Sequence, residues 1–259
     1  MARAPDGRLT RLARLARFLG RRLLSLCDRC QACSGLLPDQ GHPHPICPGC
    51  AVGLAPRLGG YCPRCGGLGL EAAATPVVCP DCLRQGRSWD GFAFHGPYEG
   101  LLREMVLAFK FHGGIAKGRL LAGLLADAYL RAAARQGEGA MDPAGPDILV
   151  PVPLHPRRLA WRGFNQSLEL SRGLASRLGR PIVSSALARI RDTTPQSSLP
   201  GAKRQANIAG AFAAVPAIVG GRAVLLVDDV MTTGATVDTA ARALRFAGAA
   251  RVDVVVVAR

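Results

Sequence analysis

One segment of this sequence indicates its architecture: Val224-Leu225-Leu226-Val227-Asp228-Asp229-Val230-Met231-Thr232-Thr233-Gly234-Ala235-Thr236. The four aliphatic residues at its start are typical of a fully buried strand, and two acids stand where that strand should end. A loop of small hydroxyl residues around a glycine follows, and then a helix is predicted from Val237 to Ala247, closed by Gly248. Strand, acids, loop and helix in this order predict an α/β fold.

The loop and the two acids are suited to different parts of one ligand. Backbone N–H groups and hydroxyls of residues 232–236 can surround a phosphate at the helix N-terminus, where the helix dipole favours an anion. Gly234 allows the backbone to approach that phosphate closely. Asp228 and Asp229 cannot contact the phosphate, but they can accept hydrogen bonds from sugar hydroxyls or hold Mg²⁺. The segment therefore predicts a site for a phosphorylated sugar.

The run acid-acid-x-x-T-T-G-x-T after four apolar residues resembles the signature of type I phosphoribosyltransferases, whose ligand is 5-phosphoribosyl-1-pyrophosphate (PRPP). The resemblance implies a parallel sheet that binds PRPP with Mg²⁺. It also implies that the acids bind the ribose 2- and 3-hydroxyls and that the loop binds the 5-phosphate. The implied PRPP-binding residues are Asp228, Asp229, Thr232, Thr233, Gly234, Ala235 and Thr236.

The composition bounds the size of the protein and the kind of partner it binds. A chain of 259 residues can hold one mid-sized domain and a small one, and 49% hydrophobic residues suffice for a core. The formal net charge of +15 favours an anionic partner, which is nucleic acid, a phosphorylated small molecule or an acidic membrane. Arginines spread evenly over the surface are the alternative explanation of this charge.

The sequence contains no apolar run of the roughly 20 residues that a transmembrane helix requires. Arginines interrupt the apolar residues near the N-terminus every few positions, so we expect no signal peptide there. The expected location is the cytoplasm, where a reducing environment favours metal binding over disulfides for closely spaced cysteine pairs.

Residues 1–26 form a basic terminal segment in which a short amphipathic helix is predicted at residues 9–26. Leucines and a phenylalanine recur there at helical spacing, and arginines occupy the other faces. Such a helix can contact a membrane surface or nucleic acid, or it can pack on its own domain with its arginines in water. The last interpretation is favoured.

Eight of the nine cysteines form four Cys-x-x-Cys pairs. A tetrahedral zinc site takes four thiolates, and two pairs separated by about a dozen residues supply them. We therefore predict two consecutive structural zinc ribbons within residues 27–90, holding two Zn²⁺ per chain. The ligands are Cys30, Cys33, Cys47 and Cys50 in the first ribbon, and Cys62, Cys65, Cys79 and Cys82 in the second. Zinc bound by four thiolates has no open position for water, so the ribbons are structural or form a binding platform.

Three further side chains compete for these ligand positions. Cys27 can replace Cys30 or Cys33, because the spacing between residues 27 and 30 also fits a pair. The 30/33 pair is favoured, since the glycine shortly after it resembles the turn that follows the other pairs. His42 and His44 are flanked by prolines and are expected to be bystanders. With so little apolar content in this region, bound metal is expected to supply most of its folding energy.

Strands and helices are predicted to alternate in the middle of the chain. A strand is predicted at residues 91–98, helices at 101–111 and 115–134, and a polar loop at 136–146. Lys110 lies near a helix end, where either the helix dipole favours a solvated lysine or the side chain binds an anion.

A second anion-binding segment begins with a predicted buried strand at residues 147–153 and continues into a loop at 154–163 and a helix at 164–178. Ligands of an open parallel sheet lie beyond the carboxyl ends of its strands, so this loop and the phosphate loop should face one crevice. The arginines of this loop suit a pyrophosphate, because a planar guanidinium group can bind two oxygens at once. Alternatively, they bind nucleic acid or simply keep the loop solvated. The candidates for pyrophosphate contact are Arg157, Arg158, Arg162 and Lys110.

Residues 189–212 are predicted to form a long polar loop with a short helix. Long loops in compact domains are often functional lids or disordered. In type I phosphoribosyltransferases a mobile loop closes over PRPP and excludes water, and residues 191–207 are the candidate lid here. Its candidate contacts are Lys203, Arg204 and Asn207. The last strand is predicted at residues 252–258.

From about Leu24 to Arg259 the chain resembles the ComF family. Besides the cysteine pairs and the PRPP loop, the resemblance rests on Val150-Pro151-Val152-Pro153-Leu154-His155-Pro156-Arg157-Arg158 and Arg162-Gly163-Phe164-Asn165-Gln166. It implies a double zinc ribbon fused to a phosphoribosyltransferase-like domain at 91–259. It also implies a link to natural competence, the uptake of single-stranded DNA, or to amidophosphoribosyltransferases. Cys27 is extra, and Ser34 precedes the glycine that usually follows the first pair directly.

Two functions follow from the sequence. As an enzyme, the protein would bind Mg²⁺·PRPP and let a nucleophile displace pyrophosphate from C1 of the ribose. As a binding module, it would sense PRPP while its basic surface and ribbons hold single-stranded DNA and a partner competence helicase. The sequence identifies neither the acceptor substrate nor the oligomeric state.

Overall fold

The computed structural model of the chain describes residues 29–37, 46–111, 115–192 and 208–259, with the backbone alone at 115 and 116. The chain divides into two compact units between Val52 and Gly53. Several sequence predictions lie outside the described residues, namely the amphipathic helix at 9–26, Cys27, His42, His44, Lys203, Arg204 and Asn207. Within the described ranges, no helix combines the length and the apolar character needed to cross a bilayer.

A parallel sheet of four strands forms the centre of the second unit, in the order β1-β6-β5-β2. Its strands are β1 (Gly91–Gly96), β2 (Ile148–Pro151), β5 (Ala223–Val230) and β6 (Arg251–Ala258). Two short strands, β3 (Leu187–Arg189) and β4 (Phe212–Ala214), pair antiparallel in a separate ladder. Strands β5 and β6 are buried on both faces because they are runs of valine and leucine, and all six residues of β1 are buried too.

Eight α-helices accompany these strands in the described part of the chain. They are α1 (Pro48–Gly53), α2 (Pro80–Gln85), α3 (Gly100–Phe111), α4 (Ile115–Ala133), α5 (Pro156–Arg162), α6 (Gln166–Leu178), α7 (Pro216–Val219) and α8 (Ala235–Phe246). Helix α4 packs against α6 and β1, and α6 also packs against β5. The predicted α/β fold with a parallel sheet is confirmed.

The arginine-bearing segment differs from its prediction. Residues 156–162 form helix α5 instead of a loop, because His155 caps its first turn, Pro156 takes the first helical position and Gly163 ends it with a left-handed φ of 82°. The next helix begins at Gln166 and not at Phe164, because the Asn165 side chain accepts a hydrogen bond from the Ser167 N–H group at 3.0 Å and caps α6.

The predicted long loop at 189–212 is also wrong at both ends. Arg189 lies in β3 and pairs with Phe212 in β4, so the ends of this segment are held together by an antiparallel ladder. The intervening stretch lies outside the described residues from 193 to 207.

The second cysteine tetrad is part of the core of the second unit. Cys62, Cys65 and Cys82 are buried in the same apolar cluster as Trp89 and Phe92, and this cluster continues into the sheet. Gly66 lies so close to Phe92 that an added Cβ would stand 2.6 Å from the ring. The tetrad therefore packs directly on β1.

Candidate functional site

Strand β5 delivers two carboxylates to the edge of the sheet. Asp228 Oδ1 accepts hydrogen bonds from the Ser167 hydroxyl and from the Asp229 N–H group, both at 2.9 Å. Asp229 Oδ1 accepts from the Val230 N–H group at 2.8 Å, and its Oδ2 lies 2.7 Å from Lys110 Nζ. Both carboxylates are thereby held in fixed positions, with one ammonium group beside them.

The surroundings of Asp228 and Asp229 limit the net negative charge of the two carboxylates. Burial, and after it the charge of Asp229, raise the pKa of Asp228 to about 7. Burial lowers the pKa of Lys110, but the charge of Asp229 and its hydrogen bond outweigh that effect and raise it. Lys110 therefore stays charged and compensates one carboxylate, while Asp228 gives up its proton near neutral pH.

A cavity of about 740 Å³ opens on this acid pair and is lined by charged and aromatic side chains. Its cationic residues come from three elements: Lys110 from α3, Arg158 and Arg162 from α5, and Arg189 from β3. Aromatic residues at the same cavity are Tyr98, Phe111 and Trp161. The acids and the cations thus face one space, which can hold a ligand that carries both hydroxyls and anionic groups.

The three arginines that the sequence singles out have different positions. Arg158 and Arg162 line the cavity, and the Arg162 guanidinium lies 5.1 Å from the centre of the Phe111 ring. Arg157 is outside the lining and is paired with Asp192 at 3.1 Å. Helix α5 accounts for the difference, because neighbouring residues on a helix point in different directions.

Three polar residues of this cavity, Arg189, Gln166 and Ser167, were not predicted from the sequence. Arg189 is only 8% exposed; burial, and then the charge of Arg158, lower its pKa to about 10. Gln166 and Ser167 are buried in the first turn of α6 and also line the cavity. Asn165 is a typical N-cap residue, so Gln166 and Ser167 could have been predicted to lie at a helix N-terminus. For Arg189 the only available signal was the alternating pattern of a strand of three residues, which is too short to recognise.

The loop at residues 232–236, predicted to bind a phosphate and called the phosphate loop below, lies between two cavities. Thr236 lines the larger one together with the acids, whereas Thr233, Gly234 and Ala235 line a second cavity of about 270 Å³. Gly234 has a φ of 82° and stands directly before α8, as the expected close turn requires. The Thr232 carbonyl oxygen accepts a hydrogen bond from Arg259 Nη1.

Both cysteine tetrads have the geometry of a tetrahedral metal site. The ligand sulfurs within each tetrad lie within 4.8 Å of one another. The distance from Cys33 Sγ to Cys47 Sγ is 3.9 Å, and that from Cys65 Sγ to Cys79 Sγ is 3.7 Å. Zinc–thiolate bonds at tetrahedral angles place two sulfurs about 3.8 Å apart, so the residues fit Zn²⁺.

The two tetrads repeat the same local structure. In each, the N–H group of the third cysteine points at the sulfur of the first, from Cys47 to Cys30 at 3.3 Å and from Cys79 to Cys62 at 3.4 Å. Ser34 and Gly66 occupy equivalent turn positions with φ of 64° and 67°. Ser34, noted in the sequence as a departure, thus adopts the conformation that glycine has in the second tetrad.

Comparison with known proteins gives the following matches. The family model named Phosphoribosyl transferase domain matches residues 165–259. Competence protein F of Haemophilus influenzae is 34% identical over 194 residues, which cover 74% of this chain and 82% of that protein. DNA utilization protein YhgH of Salmonella typhimurium is 36% identical over 209 residues, which cover 81% of this chain and 88% of that protein.

A solved structure, the glutamine phosphoribosylpyrophosphate (PRPP) amidotransferase from B. subtilis complexed with ADP and GMP, is also similar. The match is 25% identical and covers 53% of this chain and 25% of that chain, with a TM-score of 0.34.

Proposed function

Because this chain belongs to the ComF family, the family of competence protein F and the DNA utilization proteins, we propose that its larger cavity and the adjoining loop at 232–236 together bind PRPP with Mg²⁺. The chain is a competence-related, phosphoribosyltransferase-like protein with two cysteine tetrads that can each hold a structural zinc ion.

The observation that carries this proposal is the acid pair at the end of β5, facing cationic side chains across one cavity. Asp228 and Asp229 offer acceptor oxygens of the kind that adjacent ribose hydroxyls need. Arg158, Arg162 and Arg189 offer planar donors for a pyrophosphate group. The loop at 232–236 supplies N–H groups and hydroxyls for the 5-phosphate.

Asp228 and Asp229 are the residues that would hold Mg²⁺, since hard cations prefer carboxylate oxygens. The ion, when bound, would neutralise part of the pyrophosphate charge. Lys110 supplies the compensating positive charge beside Asp229, at 2.7 Å between Nζ and Oδ2. This pairing would keep the acid site from repelling an anionic ligand.

Pentosyl transfer is the reaction that such a site would support. A nucleophile on the acceptor forms a bond to C1 of the ribose, the bond between C1 and the pyrophosphate oxygen breaks, and the electron pair leaves with pyrophosphate. The cavity arginines would stabilise the charge that develops on this leaving group. Positioning and charge stabilisation suffice for this step, without a protein nucleophile.

Titration calorimetry with PRPP and Mg²⁺ tests the proposed ligand. We expect saturable binding to the native chain and a loss of at least tenfold in affinity for Asp228→Asn combined with Asp229→Asn, because both amides lose the charge and half of the acceptor capacity. Asp127→Asn is the matched control, since Asp127 pairs with Arg177 on the outer face of α4 and α6. Native protein that takes up no PRPP would contradict the proposal.

Single-stranded DNA is a second candidate ligand, favoured by an aromatic group at the cavity mouth. Trp161 is 73% exposed and Phe111 is 50% exposed, with their rings 6.2 Å apart and Arg162 over both. Exposed aromatic rings stack on bases, and arginines bind the backbone phosphates. The names of the relatives, competence protein F and DNA utilization protein YhgH, agree with such a ligand.

Anisotropy of a labelled single strand at several salt concentrations separates this candidate from PRPP binding. If the surface holds DNA, affinity falls steeply as salt rises, and Trp161→Ala weakens it at every salt concentration. Leu159→Ala, an exposed residue of the same helix, serves as control. Equal affinities of native protein and Trp161→Ala would show that the aromatic group takes no part.

The thiols of the two tetrads also support a cytoplasmic location. Metal binding requires reduced cysteines, which the cytoplasm maintains. We expect fractionated cells to hold the protein in the cytoplasmic fraction with two zinc ions per chain, and recovery from an oxidising compartment would contradict this.

A further inference from the structure

The smaller cavity, beside the phosphate loop, is completed by the segment that follows the second cysteine tetrad. Residues 85–88 form one wall of this space of about 270 Å³. Thr233, Gly234 and Ala235 form the opposite wall, with Asp238 and Arg242 of α8. The loop that the proposed function assigns to a phosphate therefore opens on residues that belong to the ribbon.

Arg87 is the cation on the ribbon side of the cavity. Its Nε donates a hydrogen bond to Cys82 Sγ at 3.1 Å, and its guanidinium lies 5.7 Å from the centre of the Trp89 ring. These contacts fix the position of the side chain, which is half-buried. The Arg87 side chain also interacts with Cys65. A guanidinium has five N–H donors, so donors remain for an anion in the cavity.

Asp238 ties this segment to the helix after the loop. Its Oδ1 accepts from the Ser88 N–H group at 3.3 Å, and its Oδ2 accepts from Arg242 Nη2 at 2.7 Å. Both oxygens are thus engaged and Arg242 balances the charge, which removes the main obstacle to an anion beside Asp238.

Arg259 makes a second connection between the tetrad and the loop. Its Nε donates to the Cys65 carbonyl oxygen at 2.8 Å, and its Nη1 donates to the Thr232 carbonyl oxygen. One guanidinium therefore bridges the backbone of a metal-ligating residue and the backbone of the phosphate loop. A shift of Cys65 would be passed on to Thr232.

From this geometry we infer that Arg87 is a further contact for the phosphate monoester bound by the loop, and that the second tetrad positions both Arg87 and the loop. The inference rests on the proposed function, which assigns a phosphate to residues 232–236. Phosphate affinity then depends on the metal-filled second tetrad and is independent of the first, which belongs to the other compact unit.

Calorimetry with two separate probes, ribose 5-phosphate and inorganic pyrophosphate, tests the role of Arg87. Arg87→Ala should weaken ribose 5-phosphate binding by about tenfold or more, because a charge-assisted hydrogen bond is lost, and should leave pyrophosphate binding unchanged. Arg87→Lys should restore part of the affinity. Arg84→Ala is the matched control, since Arg84 lies three residues earlier, in α2, and pairs with Asp81 in solvent.

The outcomes separate this inference from the proposed function. If the native protein binds neither PRPP nor ribose 5-phosphate, both are overturned. If it binds them and Arg87→Ala binds both probes like the native protein, or weakens both equally, only the role of Arg87 is overturned. A loss confined to ribose 5-phosphate supports the inference, because a general loss of folding would affect both probes.

Loss of metal from one tetrad at a time tests the role of the ribbon. Cys82 and Cys50 occupy equivalent positions in the two tetrads. Cys82→Ser and Cys50→Ser should each lower the zinc content by about one ion per chain. Only Cys82→Ser should lower the affinity for ribose 5-phosphate. If Cys82→Ser does not fold, Arg259→Ala provides a second test, because it removes the bridge between Cys65 and Thr232 and leaves both metal sites intact. Native affinity in Arg259→Ala would overturn the bridging role.

Discussion

Three charged groups meet in a largely buried place at the end of β5, and their balance determines what the site can bind. Asp229 is 8% exposed and lies against Lys110, while Asp228 accepts a hydrogen bond from the Ser167 hydroxyl. Two neighbouring buried carboxylates cannot both ionise readily without a nearby cation, because their negative charges repel each other. The proposed binding of Mg²⁺ and sugar hydroxyls would therefore favour release of the proton from Asp228.

PRPP affinity should rise as pH rises from 6 to 8. With its pKa raised to about 7, Asp228 is mostly protonated at pH 6 and ionised at pH 8, and the ionised carboxylate is the form that holds Mg²⁺ and accepts from hydroxyls. Calorimetry at several pH values measures the slope. Asp228→Asn corrects for titration of the ligand itself, and an equal slope in that variant would contradict the role of Asp228.

Lys110→Met should destabilise the protein by about 3 kcal/mol, because it leaves the buried carboxylate of Asp229 without its cation. Urea unfolding measures this change. Lys117→Met, a partly exposed lysine of α4, should change stability by less than about 0.5 kcal/mol. Adding Asp229→Asn to Lys110→Met should restore much of the lost stability, and a further loss in the double variant would contradict the pairing.

At the scale of elements, the strands and long helices were predictable because their apolar periodicity is strong. The prediction failed at α5, where seven residues are too few for periodicity and the signals were His155, Pro156 and Gly163 at the ends. It failed again at β3 and β4, since short strands far apart in sequence pair only through tertiary structure. The pairing of β3 with β4 is what places Arg189 at the cavity. The residues next to Arg189 in the sequence give no indication of that position.

Arg189→Met should weaken pyrophosphate binding by about tenfold with little loss of stability. The guanidinium is buried over the Phe212 ring at 5.5 Å, and replacement of a buried charge by an apolar side chain of similar volume is close to neutral for folding. Calorimetry with pyrophosphate and urea unfolding give the two readouts. Arg172→Met is the control, since Arg172 pairs with Glu169 in solvent on α6; native pyrophosphate affinity in Arg189→Met would exclude a contact.

At the scale of the molecule, the sequence predicted both tetrads from their spacing but could not show that they differ in surroundings. The second tetrad shares a core with Trp89 and Phe92, because Gly66 admits the Phe92 ring, whereas the first belongs to the other compact unit. Nothing in the cysteine spacing distinguishes the two, since both have the same intervals. Packing against β1 made the difference.

Cys82→Ser should therefore lower the thermal midpoint of the main unfolding transition by several degrees, because the metal and the packing of a shared core are lost together. Cys50→Ser should leave that transition within about two degrees of the native value. Differential scanning calorimetry of the full chain compares them. Equal shifts in the two variants would contradict the difference in packing.

The two tryptophans stand at opposite extremes of solvent exposure, with Trp89 at 5% and Trp161 at 73%. Trp89 packs in the same cluster as the second cysteine tetrad, while Trp161 lies at the rim of the larger cavity. An emission spectrum of the unlabelled protein is accordingly the sum of a blue-shifted and a red-shifted component. Each can be followed on its own, so one cuvette experiment reports separately on the metal side and on the mouth of the cleft.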